Sequence, residues 1–99
     1  MKPIPTIDVD FEFFGHYGTD GNSDVPKHVY FFRNGYGARV IPVSVIGEGA
    51  FAVMLLKGDV QNHKSTKRPT QNLKMDEGGI AIVFNDDELR ELLEDIGEL

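Results

Sequence analysis

Phe51-Ala52-Val53-Met54-Leu55-Leu56 carries an apolar side chain at every position. Successive side chains of a strand point to opposite faces of its sheet, so such a run reads as a central strand that needs cover both above and below. The rest of the chain must supply that cover. Its 99 residues suffice for one domain with its own core, and its content of 40 % hydrophobic and 26 % charged residues is ordinary for a globular chain. With no cysteine present, disulfides, cysteine catalysis, Cys-ligated zinc and iron–sulfur clusters are all excluded.

The other elements follow from periodicity and turn chemistry. Ile7, Val9, Phe11 and Phe13 alternate with Asp8, Asp10 and Glu12, which predicts a half-buried strand over Ile7 to Phe13. Gly15 to Pro26 is rich in Gly, Asp, Asn and Ser and reads as a flexible loop. Lys27 to Arg33 resumes strand character, Asn34-Gly35 marks a hairpin, and Arg39 to Ile46 pairs back, with Pro42 pointing to an edge position or a bulge. After the turn Gly47-Glu48-Gly49 and the central strand, Asp59 to Glu77 is polar and aperiodic and reads as a second flexible loop. Ile80 to Phe84 is a short strand. Asn85 then caps a helix with Glu88 three residues on, and Leu89, Leu92, Leu93, Ile96 and Leu99 recur at helical spacing, with Gly97 fraying the last turn.

These elements predict an α+β domain, a mainly antiparallel sheet of about five strands with one C-terminal amphipathic helix packed on it. Five strands span roughly 24 Å, whereas a helix with its side chains is about 10 to 12 Å across. One helix cannot cover the sheet. The shortfall must be met by sheet curvature, by the N-terminal segment or by another chain, and it is the sequence's clearest hint of a homodimer.

Charge is unevenly placed. Asp86 to Leu99 holds seven acids and one base, Arg90, while the preceding residues balance nine acids with nine bases, so the net charge of −6 belongs to the last fourteen residues. An acidic chain opposes direct phosphate-driven binding to nucleic acid. Asp87, Glu91, Glu94, Asp95 and Glu98 on the helix could instead imitate a phosphate array and bind a basic protein surface, although a charged outer face is also a common solubility device. Lys64, Lys67, Arg68 and Lys74 gather in the second loop, where they could touch a nucleic-acid backbone or simply be solvated; no aromatic lies among them to stack on bases.

Enzymatic signals are sparse. Asp8, Asp10 and Glu12 share one strand face and could hold a divalent cation for a metal-dependent reaction, or could form the solvent side of an amphipathic strand. Asp20 to Asp24 resembles the start of a calcium loop but meets Val25 and Phe31 where glycine and glutamate are needed, so it reads as a turn. Gly35-Tyr36-Gly37 has no following helix for a phosphate. His16, His28 and His63 have no metal-like spacing and read as surface or interface residues, and Ser23, Ser44 and Ser65 lack a nucleophile elbow. The expectation is a non-enzyme without cofactor or metal. The first twenty residues hold no apolar run of signal-peptide or membrane-span type, and the lack of thiols suits a reducing cytoplasm.

The run from Phe32 through Asn34-Gly35-Tyr36-Gly37-Ala38 to Ile41 is similar to the opening of a group of short uncharacterised bacteriophage and prophage proteins with an aromatic-x-N-G-Y-G-A-x-V block. In that group a strand ending in A-V-L follows, as Ala52 to Leu56 does here, and an acidic helix like Asp86 to Leu99 closes the chain. The resemblance covers Val29 to Leu56 and Phe84 to Leu99; the longer N-terminus and the basic segment His63 to Lys74 depart from it. It implies a phage accessory protein in the host cytoplasm and carries no catalytic residue. The resulting expectation is a partner of host or phage origin, plausibly a nucleic-acid-handling or defence complex that the acidic helix inhibits.

Overall fold

The computed structural model describes residues 5–17, 26–43 and 49–99. They form six strands and one helix: β1 (Phe13–Tyr17), β2 (Lys27–Phe31), β3 (Tyr36–Pro42), β4 (Phe51–Gly58), β5 (His63–Ser65), β6 (Ile80–Val83) and α1 (Asp86–Gly97). The order β1-β2-β3-β4 is antiparallel throughout; β5 and β6 both pair with the far side of β4, β5 at its Leu56–Gly58 end and β6 along Phe51–Met54. The fold is α+β, and β4 is the central strand that its two apolar faces require.

The cover on the helix side of the sheet, here called the near face, comes from α1, from the N-terminal segment and from Leu73 and Met75. Leu89, Leu92, Leu93 and Ile96 of α1 are buried against Val40, Val53, Leu55 and Val83 in one core. Beside the helix, Ile7 is buried and Val9 and Phe11 pack on the same core, over the β2 end of the sheet. Phe11, Phe14 and Tyr30 form an aromatic cluster there, with ring centroids 4.9 to 5.7 Å apart, and the Ile7 amide donates to the Tyr30 hydroxyl at 3.1 Å. The N-terminal segment thus supplies part of the missing width.

This corrects the strand expected over Ile7 to Phe13. The alternation in burial is present, with Ile7 buried and Asp8, Asp10 and Glu12 exposed, but ladder pairing begins only at Phe13. An extended segment laid over a core has the same two-residue period as a strand. Consequently β1 occupies the beginning of the loop expected from Gly15, while the remainder of that loop, the calcium-like turn, Ser23, Ser44 and the turn at Gly47-Glu48 lie outside the described residues, as does the side chain of His16.

Two further expectations change and one narrows. Asp59 to Glu77 is not one plain loop: it contains β5, and Leu73 and Met75 are buried in the near-face core. Pro42 marks a local edge position and no bulge, within a strand that is otherwise internal. It pairs with Phe51 at the end of β3, past Val40, where the β2 ladder stops, so its missing N–H costs no bond on that side. His28 lies in the interior, its ring edge-on to Phe14 at 5.0 Å, and not at the surface.

The block Asn34-Gly35-Tyr36-Gly37-Ala38 has structural roles at several positions. Gly35 takes φ +85°, which suits the tight turn, and Asn34 Oδ1 accepts from the Tyr36 amide at 3.0 Å. The Asn34 Nδ2 group crosses to the helix and donates to the carbonyls of Ile96 (2.8 Å) and Leu99 (3.3 Å), which have no basic side chain in the last turn to serve them. A side chain at Gly37 would strike the Tyr30 carbonyl and the Phe31 ring, and Ala38 is fully buried. Gly97 does not fray the helix; it lets the Phe32 ring approach, since a Cβ there would lie 3.2 Å from that ring.

Candidate protein-binding surface

The helix begins where the sequence requires. Asn85 Oδ1 accepts from the Glu88 amide at 2.8 Å, and Glu88 Oε1 reaches back to accept from the Phe84 amide at 2.8 Å, a capping box displaced by one residue. Asp86, Asp87 and Glu88 sit at the positive end of the helix dipole. With the inner face fixed by four buried side chains and the C-terminal end held by Asn34, the outer face is a rigid support.

On that support Asp87, Glu91, Glu94 and Glu98 are exposed and Asp95 is half-buried. Their spacing of three and four residues places them along one side of the helix over roughly 16 Å, at 1.5 Å of rise per residue. Like charges so spaced weaken a helix by a few tenths of a kcal/mol per pair, about 0.2 to 0.5, so the row is not explained by helix stability. Arg90, the base within the helix, donates to the Asp8 carbonyl at 2.8 Å and thereby ties the N-terminal segment to the helix flank.

A groove runs along each flank. One, of about 190 Å³, has a floor of Val9, Phe32 and Leu93 and a rim bearing Asp10, Glu94 and Glu98. The other, of about 240 Å³, lies between α1 and β6 and is lined by Ile82, Val83 and Leu92 with Glu88, Glu91 and Lys74. Lys74 donates from Nζ to Glu91 Oε1 at 2.8 Å, both side chains remaining largely exposed. The hydrogen bond to Glu91 and its charge, followed by the fields of Asp95 and Glu88, hold the Lys74 ammonium above its ordinary value. The ridge therefore attracts a lysine as its charge pattern requires, and the molecule's own lysine meets only one of its carboxylates.

Two of the four bases of the basic segment are engaged within the molecule. Arg68 donates to the Met75 carbonyl at 2.7 Å and closes the loop on itself, Lys74 turns to the helix, and Lys64, the register partner of Lys57, and Lys67 are exposed. Asp8, Asp10 and Glu12 are not brought together as a metal site either: Asp10 pairs with Arg33 at 2.7 Å, and no group of three metal-ligating side chains converges among the described residues. No described helix is long and apolar enough to cross a membrane. Sequence reasoning missed the groove floor, because it joins residues from the N-terminal segment, the turn after β2 and the helix. No family model, curated relative or solved structure matches the chain.

Proposed function

We propose that this chain is a non-enzymatic binding protein that presents α1 to a basic surface on a partner protein. The observation that carries this reading is the ridge itself: Asp87, Glu94 and Glu98 are exposed and without an ion pair among the described residues, on a helix locked at both ends. A lysine or arginine of the partner would lay its stem on Val9, Phe32 and Leu93 and set its cation between Glu94 and Glu98, as Lys74 sets its own on Glu91 on the opposite flank. A basic surface that ordinarily holds phosphates fits such a row, which supports the reading of a phage accessory protein that occupies a nucleic-acid-handling or defence complex in the host cytoplasm.

The test is capture from bacterial host lysate by wild-type chain and by a variant with Glu91, Glu94 and Glu98 changed to Lys. Retention of one partner by the wild type, release by salt and loss in the variant, with the helical circular dichroism unchanged, are expected. Equal retention by the folded variant would refute the reading.

A further inference from the structure

The opposite face of the sheet has a different character. The strand register places Val29, Arg39, Met54 and Ile80 in one cross-strand row and Ile41, Ala52 and Ile82 in the next. In the upper part of this far face Val29, Phe31 and Leu56 form a small second core with Phe13, and the His63 ring lies 4.8 Å from that of Phe31. Toward β6 the cover ends: Ile80, Ile82 and Phe84 are 42 %, 39 % and 58 % exposed, and Ile41, Ala52 and Met54 are half-buried. No carboxylate stands on β2, β3, β4 or β6 in these two rows. Arg39 does, with its Nε buried and without a hydrogen-bond partner, and it makes no ion pair among the described residues.

The outer edge of β6 is capped at its two ends. Asp76 takes both backbone groups of Ile80, accepting from its amide through Oδ1 and donating to its carbonyl, each at 2.9 Å, and Glu88 takes the Phe84 amide. The exposed apolar side chains Ile80, Ile82 and Phe84 lie on the face.

We propose that this face binds a second copy of the chain about a two-fold axis parallel to the strands and lying between β4 and β6. Such an axis lays Met54 and Ala52 of one protomer on Ile80 and Ile82 of its partner, and the reverse. It also carries Arg39, one strand to the side of β4, over the position one strand beyond β6 in the same row. Asp76 occupies that position, exposed and bonded to Ile80. The pattern is self-complementary, as a two-fold interface must be: an apolar centre flanked by two Arg39–Asp76 pairs. With sheets stacked about 10 Å apart, the acidic helices become the outer layers, roughly 30 Å from each other and well beyond the Debye length of about 8 Å. The net charge of −6 therefore opposes this arrangement weakly, and the ridge stays open to its own partner.

Sedimentation velocity on the full chain across a concentration series tests the proposal. The expected mass rises from monomer toward twice that value with concentration; Ile82→Asp holds it at the monomer value, with an unchanged circular dichroism spectrum. Arg39→Gln and Asp76→Asn, the latter keeping the acceptor for Ile80, each raise the dissociation constant about tenfold, and the double variant raises it no further than either alone. Glu94→Lys leaves association unchanged, which separates this surface from the helix ridge. A monomer at every concentration, a dimer indifferent to Ile82→Asp, or additive effects of Arg39→Gln and Asp76→Asn would overturn it.

Discussion

The two faces of one sheet are finished differently. On the near face, Tyr30, Ala38, Val40, Val53 and Leu55 are almost wholly removed from water by a helix and an extended segment lying side by side, together with Leu73 and Met75. On the far face, three buried residues near Phe13 form a core of their own, while the rows that end at β6 keep apolar side chains partly in solvent. The near face also carries, on the outside of its cover, the carboxylates that give the chain its charge; the far face carries a lone arginine among apolar neighbours. The difference teaches that area was the limiting resource. The helix, the N-terminal segment and Leu73 with Met75 seal one side of the sheet, whereas the β6 end of the other side keeps Ile80, Ile82 and Phe84 partly exposed.

Truncation should separate the faces most sharply. Leu93→Ala opens a cavity in a fully buried site and is expected to cost about 2 to 5 kcal/mol in urea unfolding, whereas Ile82→Ala, measured at low concentration, should cost about 0.5 kcal/mol or less. Equal costs would abolish the contrast. Asn85→Ala removes the helix cap and should cost about 1 kcal/mol, loosening the near-face cover alone. On the far face the sign reverses: Arg39→Met replaces a cation with a buried unmet donor by an apolar chain and should stabilise the dilute protein by about 1 kcal/mol. The smallest effect is set by pH. Burial pushes the Tyr30 hydroxyl above its ordinary value, against the lowering effect of the bond from the Ile7 amide. The neutral form is thus favoured in the folded state, and its contribution is intact below about pH 10 and lost as pH rises through the raised value. Tyr30→Phe should flatten that alkaline loss in parallel melts of the two proteins.

The helix was legible almost residue by residue, since Asn85, Glu88 and the leucine spacing are local signals with local consequences. So was the Asn34-Gly35 hairpin, and so was the shortage of cover implied by Phe51 to Leu56. The N-terminal strand was misplaced because a period of two reports exposure and says nothing of hydrogen bonds; Ile7 and Val9 obey it without a partner strand. The strand His63–Ser65 escaped because it is three residues long and polar, held by pairing to β4 and not by its side chains. Leu73 and Met75 were the overlooked signal, two large apolar residues in a polar stretch. Arg39 looked like one cation among ten basic residues; only the register shows that its neighbours across the sheet are Val29 and Met54. The groove beside α1 was beyond reading, because Val9, Phe32 and Leu93 meet only after the chain has folded.

The clasp from Asn34 to the last helical turn spans 62 residues. During synthesis the hairpin that carries this amide emerges well before the helix that it holds. In the interval Ala38, Val40, Val53 and Leu55 lack the helix that seals them. The nascent chain therefore completes its near-face core only when the last leucines arrive, and the amide that clasps them is already in place.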